Sequence, residues 1–325
     1  MNHSLRGFAT LTALGLMILL ATYLTLGASA SAQIELGLSR NSVPAQAGAW
    51  KVLDAFLKAL QETWNPTQQR FSAWASAHQM DGITVESLSG RVNLNTISPF
   101  LLGQPGFRET LKGISVEQFV ETRAKNGPSA DGNLYHDIVQ PEALKSWYTV
   151  HSLWNLDTAD EVMLEAMVTQ RTGSAAIGSS VRSLVRSFRE QKKRFTADDW
   201  IKVGAGREAL EPLLTMEPEL DVNEIPEGLL GVLLANPSWA VADAATKVQA
   251  LTQGRDTHPW TAAQLKAMLQ VPDDSIVLSS LGTRTRFLGG TVKTPAGSLA
   301  WVVFLSGDAP DPPSPRIVET RWRVP

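Results

Sequence analysis

The 325-residue chain contains no cysteine. That excludes disulfides, thiolate metal sites, iron–sulfur clusters and thiol nucleophiles together. Charged residues make up only 19% of the chain and the formal net charge is −3, so there is no overall field to draw in a polyanion. Nucleic-acid binding would need a local basic patch. The five histidines, His3, His78, His136, His151 and His258, show no i, i+4 pair and no H-E-x-x-H, which argues against a zinc hydrolase. There is no phosphate-loop signature, because Gly289-Gly290-Thr291-Val292-Lys293-Thr294 lies between strand-like runs, and there is no G-x-S-x-G elbow. These absences point away from an enzyme.

What is present is unevenly spread. A mean hydropathy of −0.06 reads as an ordinary soluble protein, yet the 28 positions from Gly7 to Ile34 hold no ionisable side chain except Tyr23. Within them Phe8 to Leu26 reads FATLTALGLMILLATYLTL, close to the roughly 20 apolar residues that cross a bilayer as a helix. Two processing readings fit. Ala28-Ser29-Ala30 or Ala30-Ser31-Ala32 resembles a signal-peptide cleavage site. Alternatively, a short leader ends at Leu5-Arg6-Gly7 and Phe8 follows at once, as in type IV prepilins, which are cut after glycine and N-methylated on phenylalanine. The fifth residue past that junction is Thr12, where pilins carry glutamate.

Beyond the span, Trp50, Leu53, Leu57, Leu60 and Trp64 recur at helical spacing and predict an amphipathic helix. Pro44 would kink or break any helix continuous with the apolar span.

The strongest internal signal is a duplicated phrase. Val92-Asn93-Leu94-Asn95-Thr96-Ile97-Ser98-Pro99-Phe100-Leu101-Leu102 aligns without gaps to Leu220-Asp221-Val222-Asn223-Glu224-Ile225-Pro226-Glu227-Gly228-Leu229-Leu230. Asn93, Asn95, Asp221 and Asn223 are expected as motif and helix-cap residues, with Asn95 and Asn223 capping the helices that follow. The stretches after each phrase read as helix-hairpin-helix-like units. The second lies in acidic sequence (Glu211, Glu217, Glu219, Asp221, Glu224, Glu227) and neither is flanked by basic clusters, so no nucleic acid is expected.

With these residues in view, the chain resembles the general secretion pathway protein K family, the minor pseudopilins of type II secretion systems. The likeness rests on the Gly7-Phe8 junction, Thr12 in place of glutamate, Gly90-Arg91-Val92-Asn93-Leu94-Asn95, and Asp221-Val222-Asn223 opening a helix. The family's Asp-Trp-x-Asp stretch between the phrases is missing, and Asp221-Val222-Asn223-Glu224 stands where Asn-Val-Asn-Thr is usual. The resemblance implies an α+β fold, a pilin-like long N-terminal helix packed on an antiparallel sheet with a large helical insertion. The expected segments are a leader at 1–7, a transmembrane and pilus-core helix at 8–30, and an amphipathic helix with first strands at 31–103. A helical insertion at 104–219, a second hairpin unit at 220–274 and a β meander at 275–325 complete the set. In the insertion, Asp157 to Glu161 marks a helix start. Val181, Leu184, Val185 and Phe188 form an apolar stripe opposite Arg182, Arg186, Arg189, Lys192, Lys193 and Arg194, a basic face read as solvated or as docking an acidic partner or lipid head groups. Strands are expected over Ile83–Leu88, Val277–Ser279, Arg284–Val292, Leu299–Phe304 and Arg316–Val324, with a loop from Gly307 to Pro315.

The resemblance further implies cleavage by a prepilin peptidase between Gly7 and Phe8, methylation of Phe8, and a single pass through the inner membrane with the bulk of the chain in the periplasm. The implied partners are the other minor pseudopilins, the major pseudopilin and the inner-membrane assembly platform. No cofactor is expected. Calcium is the one metal the family brings in, with Asp131, Asn133 and Asp137 or Asp308 and Asp311 as the available oxygens, although Asp, Asn, Gly and Pro also serve turns. The competing readings are an exported periplasmic binding module with a cleavable signal peptide and a DNA-binding competence-type protein.

Overall fold

The computed structural model describes residues 44–130, 132–191, 193, 199, 210, 213–273, 275–306 and 313–323. The architecture is α+β. A helix spanning 44–63 (α1) and a shorter one, α2 (Phe71–Ala77), lead into β1 (Ile83–Ser87). The chain then leaves the sheet for nearly 200 residues before returning as β8 (Phe287–Thr294), β9 (Gly297–Ser306) and β10 (Ser314–Arg323). These four strands form an antiparallel sheet in the order β1-β8-β9-β10.

α1 lies on one face of this sheet because its apolar side chains return every three to four residues. Ala49, Leu53, Phe56, Leu60 and Trp64 are buried against Leu288, Val292, Leu299, Trp301, Val303 and Leu305. The seam is turned slightly from the predicted one: Phe56 belongs to it, Leu57 is only half-buried, and Trp50 is 40% exposed. Aromatic rings lock the layer, with Phe56 edge-on to Trp74 at 5.8 Å and tilted against Trp301 at 5.5 Å. Among the described residues no helix is long and apolar enough to cross a membrane. The leader and the run Phe8–Leu26 lie outside them.

Between β1 and β8 the chain builds three helical units, each opened and closed by a short parallel strand pair. The pairs are β2 (Val92–Asn93) with β3 (Tyr148–Thr149), β4 (Trp154–Asn155) with β5 (Leu214–Thr215), and β6 (Leu220–Asp221) with β7 (Leu281–Gly282). The units therefore run over 92–149, 154–215 and 220–282. The first phrase opens the helical part instead of closing the preceding segment at 103. The first and third units share one core, including Leu94, Phe107, Phe119, Tyr135, Leu229 and Leu251, whereas the second has its own around Met163, Leu164 and Val185.

Several local expectations change. Val277–Ser279 is helical, within Ile276–Ser280, because the Ser275 hydroxyl accepts from Val277 N and starts a turn that feeds β7. The basic face of the helix Ala175–Glu190 is in part paired within its own unit. Arg182 pairs with Glu165 at 2.7 Å and Arg186 with Glu161 at 2.9 Å, both acids on the neighbouring helix Glu161–Thr172. Lys192 and Arg194 lie outside the described residues.

Candidate functional site

The repeated phrase is the organising device of the helical part, though not in the predicted role. Asn95 and Asn223 do not cap the following helices. Ser98 does so for Pro99–Leu102, accepting from Leu101 N, and Pro226, which has no capping side chain, precedes Glu227–Leu234. The amides lie too early in the chain and are drawn inward. Asn93 is 1% exposed, Asn95 3%, Asp221 2% and Asn223 4%, and groups so buried must find partners.

They find them in matched fashion. The Asn93 Oδ1 accepts from Asn95 N at 2.8 Å, and the Asp221 Oδ1 accepts from Asn223 N at 3.0 Å, closing the same tight turn. The second amide then grips one residue of a distant loop by both backbone groups. Asn95 accepts from Ser129 N and donates to Ser129 O, both at 2.9 Å. Asn223 accepts from Trp260 N at 2.6 Å and donates to Trp260 O at 3.2 Å. Each phrase thus ties its opening strand to a loop more than thirty residues on.

A third copy escaped the sequence reading. Trp154-Asn155-Leu156-Asp157-Thr158-Ala159-Asp160 folds the same way, with Asn155 Oδ1 accepting from Asp157 N at 2.7 Å. Its disguise is Trp at the first position, Ala in place of Ile and no proline. An arginine completes each copy by donating to the carbonyls of the third and sixth phrase residues. Arg123 reaches Leu94 O at 3.0 Å and Ile97 O at 2.8 Å. Arg189 reaches Leu156 O at 2.9 Å and Ala159 O at 2.7 Å. Arg255 reaches Val222 O at 3.0 Å and Ile225 O at 2.5 Å. In each copy a single terminal guanidinium nitrogen serves both carbonyls with its two N–H groups. The signal lay in the spacing: each arginine stands 29 or 33 residues after the first carbonyl it reaches.

Acids join the units. Arg123, 1% exposed, pairs with Asp160 across the first and second units at 3.3 Å, and burial pulls its guanidinium pKa down while Asp160 opposes this. Glu219 accepts from Asn155 N at 2.7 Å and from Thr96 Oγ1 at 3.4 Å, and burial lifts its carboxyl to about 7. Burial likewise lifts Glu224 to about 7, with Asp221 adding to the rise and Arg70 opposing it. Ser89 carries the join to the sheet, its carbonyl accepting from Asp221 N at 2.8 Å and its hydroxyl from Arg286 N and Phe287 N. Gly90 beside it has no room for a side chain, since a Cβ would lie 2.4 Å from Glu224 O.

Among the described residues no group of three or more His, Asp or Glu side chains is placed to hold a metal. Of the calcium candidates, Asn133 opens the turn Asn133–Tyr135 and Asp137 is exposed. Asp131, Asp308 and Asp311 lie outside the described residues, as do Gly7, Phe8 and Thr12. Asp160 and Glu219 instead make contacts across the joins between units, to Arg123, Thr96 and the Asn155 N–H.

No family model matches the chain, and no curated protein matches it. Among solved structures it is similar to a chain in the crystal structure of the GspK–GspI–GspJ complex from the type 2 secretion system of enterotoxigenic Escherichia coli. The two share 13% identity with a TM-score of 0.34, over 91% of this chain and 99% of that one.

Proposed function

We propose that this chain is a minor pseudopilin of a type II secretion system, a structural subunit that caps the tip of the periplasmic pseudopilus and promotes its assembly. The carrying observation is the seating of α1 along one face of the β1-β8-β9-β10 sheet, with three helical units inserted between β1 and β8. An apolar run of pilus-core length, Phe8–Leu26, lies upstream of α1 in the sequence. Phe8–Leu26 would anchor the subunit in the inner membrane and pack with the N-terminal helices of the other minor pseudopilins and the major pseudopilin. The prepilin peptidase would cut between Gly7 and Phe8. Thr12 has no carboxylate to pair with a neighbour's N-terminal amine, which fits a subunit placed first, and the bulk of the helical units would obstruct a subunit added above it.

Mass spectrometry of the mature N-terminus tests this reading. A chain beginning at Phe8 and carrying one added methyl group is expected. A chain beginning at Ser31 or Gln33 would mark a signal peptide and a free periplasmic binding module instead.

A further inference from the structure

A cleft of about 80 Å³ opens where the three units meet. Its floor is apolar, from Leu220, Leu233 and Trp239, and its rim carries two large apolar side chains in solvent, Phe100 at 60% and Ile276 at 48% exposure. Asn236 lines it and is only 3% exposed, yet its Nδ2 has no hydrogen-bond partner. The orientation of this amide is fixed, because Oδ1 accepts from Ser238 N at 3.1 Å and Ser238 Oγ at 2.8 Å, and a flipped amide would aim a donor at a backbone N–H. A buried amide donor left without a partner is costly, so an acceptor that enters the cleft recovers part of that cost. Glu219 lines the same cleft and has lone pairs beyond the two bonds it already accepts. A donor and an acceptor in one apolar cleft match the two polar groups of a peptide backbone.

We infer that this cleft docks a polypeptide segment that inserts one aliphatic side chain and offers a backbone carbonyl to Asn236. The volume suits a single side chain of leucine size. An acidic ligand is disfavoured by Glu219, and the exposed Phe100 and Ile276 supply the apolar collar that would surround an inserted side chain.

The test uses the full chain in detergent-free lipid discs with asparagine side chains labelled with ¹⁵N, the Asn236 amide being assigned by its loss in Asn236→Asp. The probes are N-acetyl-leucine-N-methylamide, its glycine counterpart and dihexanoylphosphatidylcholine. The leucine probe should shift the Asn236 amide saturably and bind about tenfold or more tightly than the glycine probe, the usual worth of one buried aliphatic side chain. Asn236→Asp keeps the oxygen that holds Ser238 and deletes the donor. Leucine-probe affinity, read through the Trp239 indole, should then fall about fivefold. Ile276→Ser, on the exposed rim, should also weaken binding without touching the core. Equal affinity for the leucine and glycine probes, or no shift with either, overturns the inference. A shift with the phospholipid alone would give the cleft to an acyl chain, and a shift that follows protein concentration alone would give it to a second copy; either result also overturns it.

Discussion

Replacing Arg123 with methionine removes the most buried of the three arginine staples while refilling most of the volume of its stem. The guanidinium donates to Leu94 O and Ile97 O and faces Asp160 at 3.3 Å, with Arg123 1% and Asp160 9% exposed. Removing one member of a buried pair typically costs 3–5 kcal/mol, since the other charge is left uncompensated. Asp160 keeps Met163 N as a donor and Leu94 O keeps a long contact from Tyr135 Oη. Those residual bonds put the expected loss at about 3–4 kcal/mol. The corresponding loss for Arg189→Met should be only about 1–2 kcal/mol, because its side chain is 26% exposed and Glu161 stands 3.7 Å away, still in reach of solvent and of Arg186.

Urea unfolding of the full chain, followed by tryptophan fluorescence, measures both variants through the shift in midpoint at constant slope. Arg123→Met combined with Asp160→Asn supplies the decisive comparison. Asparagine keeps an oxygen for Met163 N but carries no charge, so the double variant should recover about 1–2 kcal/mol relative to Arg123→Met alone. If Arg123→Met costs no more than Arg189→Met, or if the double variant is worse than the sum of the singles, the staple reasoning is refuted.

Three further outcomes follow from the same geometry. Glu219 has a folded pKa of about 7 against an ordinary 4.5, so the folded state binds the extra proton between those values and stability falls as pH rises through that window. Glu219→Gln, which keeps an acceptor and loses the charge, should narrow the difference between the urea midpoints at pH 5 and pH 8 by an amount worth at most about 3 kcal/mol; a variant whose midpoint has the same pH dependence as the parent contradicts this. Gly90→Ala drives a methyl group into Glu224 O and C at 2.4 and 2.5 Å, and should cost more than about 2 kcal/mol by calorimetry or prevent accumulation. Asn223→Ala abandons the N–H and C=O of Trp260 and should lower stability by about 2 kcal/mol while leaving the far face of the sheet unaltered in hydrogen exchange; uniform loss of protection would show that the unit and sheet do not open separately.

The fold was legible where one periodicity ruled. The α1 seam, β1 and the last three strands follow from alternation and helical spacing, and Asp160 caps the helix whose start the sequence marked at Asp157 to Glu161, accepting from Met163 N. Legibility failed where the partner of a side chain lay far along the chain. Asn95 and Asn223 have the chemistry of caps, and local propensity assigns them that role; only Ser129 and Trp260, 34 and 37 residues on, show that they are used as loop clamps. The basic face of Ala175–Glu190 likewise reads as solvated until Glu161 and Glu165 are placed against it.

The third copy shows why a motif can persist physically when its letters fade. What the turn requires is an oxygen on the second residue to accept from the fourth residue's N–H, and a guanidinium to bridge the carbonyls of the third and sixth. Asn and Asp both meet the first need, and no side chain is specified by the second, because the carbonyls belong to the backbone. The arginine must therefore be retained while most of the phrase drifts, and Arg123, Arg189 and Arg255 stand in equivalent places for that reason. A turn held this way depends on backbone carbonyls and one arginine, which is how the second of the three units between β1 and β8 keeps it while few letters of the phrase remain.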